Sequence, residues 1–259
     1  MGKTKIGWTD YTFNPWWGCT KVSPGCDHCY AEAFDHRVGG DHWGPMQPRR
    51  TMSEAYWKGP RLWNRAAEAT GRRARVFCAS MADVFDVEAP KGERERLWIE
   101  ISCTPYLDWL LLTKRPQVAK RMLPKDWGQG WPNVWLGTSV ENQTEADRRI
   151  PHLLNTPAAV RFLSCEPLLG PIDFYDSAVA PLQHFPDEPN GQTGRIDWVI
   201  VGGESGPKHR QMDVAWLTGI VGQAKDASLP VFVKQDSGPY PETQGRIPSD
   251  VWALKEWPK

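Results

Sequence analysis

The sequence has no apolar stretch long enough to cross a bilayer and no excess of charge of either sign. Its mean hydropathy is −0.54, and a spanning helix needs about 20 consecutive, mostly apolar residues. The 259 residues include 31 Lys and Arg and 31 Asp and Glu. This balance disfavours proteins that coat nucleic acid regardless of sequence, although a local basic patch stays open. No apolar segment follows Met1–Lys5, which predicts a cytoplasmic protein without a signal peptide or a membrane partner.

Two common nucleotide-binding signatures are also missing, since no G-x-G-x-x-G follows the first apolar run and no Walker motif occurs. Short apolar runs instead alternate with helix-like segments, which predicts parallel strands with right-handed crossovers. We predict strands at Tyr11–Trp17, Arg75–Ser80, Asp108–Thr113, Asn133–Ser139, Ala159–Cys165, Asp197–Gly203 and Pro230–Lys234. We predict helices at Tyr30–Arg37, Ser53–Glu68, Lys91–Ile101, Gln117–Met122, Gln143–Leu154 and Val214–Lys225. This α/β pattern over residues 1–259 suits a single domain, either a doubly wound open sheet or a barrel. Residues 177–195, rich in Pro, Gly, Asp and Gln, predict a loop insertion.

Polar side chains follow six consecutive predicted strands. The carboxyl ends of parallel strands form the ligand-binding edge of α/β folds. One such residue alone, for example Asp83, is more typical of a helix cap, but six together predict a shared polar site. The residues at these strand exits are Ser80, Asp83, Lys114, Arg115, Ser139, Glu141, Cys165, Glu166, Glu204, Lys234 and Asp236.

Three of the six cysteines fall within eleven residues, with the spacing C-x6-C-x2-C; they are Cys19, Cys26 and Cys29. The turn at Pro24-Gly25 lets the chain fold back around a small object, which indicates a metal rather than a disulfide in a reducing compartment. One chemistry is a structural zinc, with His28 or His36 as a fourth ligand. The other is an iron–sulfur cluster with one iron left open. Because His28 lies awkwardly between two of the cysteines, the spacing favours the cluster.

Longer motifs along nearly the whole chain resemble the phage-associated three-cysteine-motif proteins, a family suspected of radical-SAM chemistry. The resemblance is carried by the segments that span Trp8–Glu32, Ser80–Phe85, Leu112–Pro116, Gly137–Asn142, Phe162–Gly170, Val201–Gly206 and Phe232–Gln235. It implies a partial parallel (βα) barrel of the radical-SAM type, with about six to seven strands. It also implies a [4Fe-4S] cluster on the three clustered cysteines.

The same resemblance implies that the open iron binds S-adenosyl-L-methionine (SAM) and that one electron from the cluster yields a 5′-deoxyadenosyl radical, which abstracts hydrogen from a substrate. The substrate is unknown; the basic residues named below are compatible with a nucleotide or nucleic acid. A separate partner protein is compatible with the resemblance. Three features depart from the wider radical-SAM pattern. The cysteine spacing is longer than the usual C-x3-C-x2-C, and His28 stands where an aromatic residue is usual. The glycine-rich G-G-E, which usually follows the second strand, occurs here at Gly202–Glu204 after the sixth, whereas the second strand ends in Ser80–Asp83.

From these positions we assign candidate roles in the cofactor pocket. Ser80 and Asp83 are expected at the methionine amino end of SAM, Ser139 and Glu141 at the ribose, and His28 against adenine. Cationic groups for a carboxylate or phosphate are Lys114, Arg115 and Lys234; the run Lys208–Arg210 is more typical of a solvated loop.

The candidate catalytic residues are Cys165 and Glu166. Cys165 is placed to donate a hydrogen atom, although a buried small residue is the more ordinary interpretation. Glu204 is a further candidate cofactor contact. Two other functions remain open: a non-enzymatic barrel whose loop is fixed by a structural zinc or cluster, and a metal-independent enzyme with Glu166 and Glu204 as acid and base.

Overall fold

The computed structural model describes residues 2–175 and 195–259, so the predicted insertion lies, except for its last residue, outside the described residues. The strands are β1 Tyr11–Phe13, β2 Trp16–Trp17, β3 Arg50–Thr51, β4 Ala74–Cys78, β5 Leu107–Thr113, β6 Val134–Ser139, β7 Val160–Cys165, β8 Trp198–Gly202 and β9 Val231–Gln235. The helices are α1 Tyr30–Arg37, α2 Glu54–Trp57, α3 Gly59–Thr70, α4 Glu93–Ser102, α5 Pro116–Ala119, α6 Gln143–Leu154, α7 Val214–Asp226 and α8 Ser249–Trp252. None of these helices is long and apolar enough to span a membrane.

Seven strands form one parallel sheet in the order β1-β4-β5-β6-β7-β8-β9, which is their order along the chain. Because the order never reverses, the sheet has no topological switch point of the doubly wound kind. Right-handed crossovers then place the helices on one face, and the sheet curls into a half-barrel. The structure therefore confirms an α/β partial barrel with seven strands and excludes the open doubly wound sheet.

The two faces of the sheet have separate cores because side chains alternate along each strand. Towards the helices lie residues such as Leu111 and Leu163, which belong to the larger apolar cluster. The concave face is filled by a second cluster that consists of Trp8, Phe77, Leu110, Trp135, Phe162, Trp198, Ile200 and Phe232. These large side chains plug the barrel interior, so the space for a ligand lies beyond them, at the carboxyl ends of the strands.

Some predicted elements break where proline or a side-chain contact interrupts the backbone ladder. The predicted strand Tyr11–Trp17 divides into β1 and β2 at Asn14-Pro15. Asn14 Oδ1 accepts from Met81 N at 2.7 Å, and β2 pairs antiparallel with β3. The predicted helix Ser53–Glu68 divides into α2 and α3, since Pro60 stands in the first turn of α3. By contrast, α1 and α6 begin and end where predicted.

Candidate functional site

A cavity of 440 Å³ opens at the carboxyl ends of the strands. One wall is the cysteine loop, which we define as residues 18–29; it contributes all three clustered cysteines. The other walls include the strand-exit residues Ser80, Asp83, Lys114, Arg115, Ser139, Ser164, Glu166, Glu204 and Lys234. The loop and the strand exits thus face one cavity, as the alternation of strands and polar exits predicts.

The three cysteines take up different local environments along the loop. Cys19 follows Gly18, which has a φ of +113°, a backbone conformation that glycine adopts readily and other residues adopt only with strain. Cys26 ends a short 3₁₀ turn at Pro24–Cys26, and Cys29 is the N-cap of α1. Ala31, Trp43 and Met81 form a small apolar cluster against which Cys19 and Cys29 pack. Within residues 2–175 and 195–259, no group of three or more His, Cys, Asp or Glu is placed to hold a metal ion.

Two of the three thiols, those of Cys19 and Cys29, are costly to ionise while no metal replaces their protons. Burial raises the pKa of Cys19 to about 12, although the Arg115 guanidinium opposes the shift. Burial also raises the pKa of Cys29, against the backbone amides of Glu32 and Ala31 and the charge of Lys114. These donors and cations favour a thiolate once a metal displaces the proton.

The first contact that holds the cysteine loop comes from the end of β5. Arg115 Nη1 donates to Cys19 Sγ at 3.3 Å and to Asp83 Oδ2 at 3.1 Å, and its Nη2 donates to Thr20 O at 2.6 Å. Asp83 also accepts from Thr113 Oγ1 at 2.7 Å and from Lys114 N at 3.0 Å. Asp83 lines the cavity, and its expected role at the methionine amino end stays a prediction. Its carboxylate is largely buried and engaged by protein donors, and it orients Arg115.

The second contact comes from the end of β6 and corrects the role expected for Glu141. Glu141 is fully buried and does not line the cavity. Its Oε1 accepts from Ser23 Oγ at 2.9 Å and from Arg149 Nη1 at 3.1 Å. A Cβ added at Gly25 would lie 2.6 Å from Glu141 Cδ, so the loop backbone rests directly on this carboxylate. Glu141 supports the loop and is not exposed to a ribose.

The third contact comes from the end of β8. Arg210 Nη2 donates to Glu204 Oε1 at 2.5 Å and to Pro24 O at 2.9 Å, and His28 Nδ1 lies 2.9 Å from Glu204 Oε2. Burial raises the pKa of Glu204, but the hydrogen bonds from Arg210 and His28 outweigh it and hold the pKa below the ordinary value. For Arg210, the interpretation as part of a solvated loop is wrong. It ties Glu204 to the cysteine loop.

Several polar groups remain directed at the cavity without holding the loop. Lys114 Nζ lies 3.3 Å from Ser139 Oγ, and Ser164 lines the same wall. On the strands further round, Lys234 Nζ donates to Glu166 Oε1 at 2.5 Å, and both side chains are largely buried. Hydroxyls and one ion pair are therefore available to a ligand.

Comparison with known proteins assigns the chain to a family. A family model described as "Protein of unknown function (DUF5131)" matches residues 3–249. The chain belongs to the DUF5131 family. No curated protein and no solved structure matches it.

In this DUF5131 member, Cys165 lies apart from the cavity. It is fully buried in the cluster on the helix side of the sheet, because the side chains of Ser164 and Glu166 take the concave side. Cys103 is exposed. Reasoning from the sequence did not identify Ser23 and Arg149 as functional. Ser23 falls inside the segment Trp8–Glu32 that carries the resemblance, but nothing in that segment marks its contact with Glu141, and Arg149 lies outside all the resembling segments. A charged residue on α6 and a serine before a turn are ordinary in sequence.

Proposed function

We propose that the protein is an iron–sulfur enzyme of the radical-SAM type, with a [4Fe-4S] cluster held by Cys19, Cys26 and Cys29. One observation carries the proposal: three thiols of a single loop line a cavity at the ligand-binding end of a parallel half-barrel. Soft thiolates are the usual ligands of iron–sulfur clusters. A cubane does not require the three sulfurs to converge on one ion, since each thiolate binds a different iron.

The surroundings of the loop fit a negatively charged thiolate cluster. Arg115 donates to Cys19 Sγ at 3.3 Å, Lys114 lies close enough to Cys29 to favour its ionised form, and the first amides of α1 point at the same sulfur. Three protein ligands would leave one iron for SAM. Once bound, the cluster and SAM would supply one-electron cleavage of the sulfonium and hydrogen abstraction from a substrate.

The chain's own residues would bind and orient the two ligands. Ser80, Ser139 and Lys114 face the cavity beside the cysteine loop and suit the polar groups of SAM. Glu166, directly after β7, and Lys234, on β9, lie further round the half-barrel and suit the substrate. A cationic side chain in this position is compatible with a nucleotide or nucleic acid. The apolar plug of the barrel would keep water from the floor of the site.

The other two functions have weaker structural support. A purely structural zinc or cluster would add little to the stability of the cysteine loop, because contacts from Arg115, Glu141 and Arg210 already hold it. A metal-independent acid–base enzyme would use Glu166 and Glu204. Glu204 is engaged by Arg210 and its pKa is lowered, which makes it a poor proton donor near neutral pH.

Anaerobic reconstitution with iron and sulfide tests the proposal. We expect a brown protein with about four iron atoms per chain, and 5′-deoxyadenosine after addition of SAM and a reductant. Cys26→Ala should lose the cluster, while the matched control Cys103→Ala should keep it, because Cys103 is exposed and remote from the cavity. Full iron content in Cys26→Ala would refute the cluster assignment. A cluster that forms but never yields 5′-deoxyadenosine would support the structural alternative.

A further inference from the structure

One cysteine of the loop has a strong side-chain hydrogen-bond donor that the other two lack. Among the described residues, Arg115 is the one cation that donates to a loop sulfur, with its Nη1 at 3.3 Å from Cys19 Sγ. The side-chain partner of Cys26 is the Ser23 hydroxyl at 3.9 Å. Cys29 receives backbone amides at the start of α1. The sulfurs are therefore not electrostatically equivalent.

The guanidinium of Arg115 is held rigidly at this sulfur. It is buried, and it also donates to Asp83 Oδ2 at 3.1 Å and to Thr20 O at 2.6 Å. Asp83 is itself fixed by Thr113 Oγ1 at 2.7 Å. Because neither partner is free to turn towards solvent, the N–H group keeps its direction, and its field acts in a low-dielectric environment where charges interact more strongly than in water.

We infer that Arg115, positioned by Asp83, sets the reduction potential of the cluster through its hydrogen bond to the sulfur of Cys19. This inference rests on the function proposed above, since it requires a cluster on the three cysteines. Reduction adds one negative charge to the cluster, and a donor at a ligand sulfur stabilises the more negative state. Hydrogen bonds to the sulfurs are among the factors that set such potentials. The contact therefore makes the cluster easier to reduce.

A charge-neutral pair of double variants isolates this contact. The test variant is Arg115→Gln with Asp83→Asn, which removes the guanidinium without leaving a buried unpaired carboxylate. The matched control is Arg49→Gln with Asp86→Asn. This second buried pair also contacts Thr20, through Arg49 Nη2 and Thr20 Oγ1 at 2.8 Å. Asp86 Oδ1 lies 4.0 Å from Arg115 Nη2, but neither member of the pair donates to a sulfur. Both changes leave the net charge of the chain unaltered.

The measurement is an anaerobic redox titration of reconstituted protein followed by EPR, with iron content determined for each sample. We expect the test variant to lower the equilibrium constant for reduction about tenfold, which is about 59 mV for one electron. The control should shift it by less than a third of that. A third protein, Arg115→Lys, keeps the charge with a less directional donor and should lie between the test variant and the wild type.

Each alternative result has a definite meaning. No shift in the test variant, or equal shifts in test and control, would overturn the role of Arg115. Loss of iron from both the test variant and Arg115→Lys would overturn it as well, since Arg115 would then only hold the loop. Absence of iron from the wild type is a different result, because it refutes the proposed function itself.

Discussion

Replacement of Glu141 by alanine tests whether the end of β6 supports the cysteine loop rather than a ligand. The change removes the acceptor of Ser23 Oγ at 2.9 Å and of Arg149 Nη1 at 3.1 Å. Hydrogen bonds to charged groups contribute about 1.5–3 kcal/mol each, and loss of one member of a buried ion pair costs about 3–5 kcal/mol. Arg149 keeps Glu145 Oε2 at 3.0 Å, so we expect a loss of about 3–5 kcal/mol in the free energy of unfolding.

The assay combines urea unfolding of the iron-free chain with iron content after reconstitution. Glu141→Ala should lower the unfolding midpoint and reduce iron content, because Ser23 and the backbone at Gly25 lose their support three residues or fewer from Cys26. Glu145→Ala is the matched control. Glu145 is also buried and pairs with the same Arg149, so its loss should likewise cost about 3–5 kcal/mol. Because none of the described contacts of Glu145 reaches the loop, we expect iron content to stay unchanged.

Two results would refute this reasoning. If Glu141→Ala retains all its iron but binds SAM more weakly, the carboxylate contacts the cofactor, as the sequence-based expectation of a contact with the ribose of SAM requires. If Glu145→Ala loses as much iron as Glu141→Ala, the effect comes from Arg149 and α6, and Glu141 has no direct part in the loop.

Two further predictions concern the loop. Gly25→Ala should reduce iron content, because its Cβ would lie 2.6 Å from Glu141 Cδ. The control is Gly222→Ala, whose Cβ would meet open space on α7 and which should raise the free energy of unfolding in urea by about 0.5–1 kcal/mol. Equal iron content in the two variants would contradict the steric argument. The pKa of Glu204 lies below its ordinary 4.5, so its contribution to stability is complete above that pH and is lost as the pH falls through the lower folded value. In the iron-free chain, the difference in unfolding free energy between wild type and Glu204→Gln should therefore shrink below pH 4.5, and a difference that grows on acidification would contradict it.

Six strands of the half-barrel, β4 to β9, were predictable because most of their residues are buried on both faces of the sheet. Such strands appear in the sequence as continuous apolar runs, as in Asp108–Thr113 and the observed β5 Leu107–Thr113. Their boundaries moved by only one or two residues. The division of Tyr11–Trp17 was signalled by Pro15, which cannot donate to a ladder. The curl of the sheet was harder to predict from the order of strands and helices, since the same alternation also suits an open doubly wound sheet.

The position of Cys165 could have been derived from the sequence. In a strand, neighbouring side chains point to opposite faces, so Ser164 and Glu166 cannot share the cavity with the residue between them. Once the strand-exit glutamate is placed on the concave face, Cys165 must face the helices, where it is found.

The same alternation cannot separate a residue that binds a ligand from one that holds the loop. Ser139 and Glu141 have the same parity along the chain, yet Ser139 lines the cavity and Glu141 lies beneath Gly25. What distinguishes them is a partner at long range: the hydrogen bond from Ser23 to Glu141 spans 118 residues. A negatively charged cluster and a long loop both require charged residues at strand ends, so residue type alone predicts the same pattern for either role. The distinction depends on whether a charge is tied to the cysteine loop, either directly or through an arginine. By that criterion Asp83, Glu141 and Glu204 hold the loop. Lys114 and the ion pair of Glu166 with Lys234 are the charged groups best placed to bind ligands.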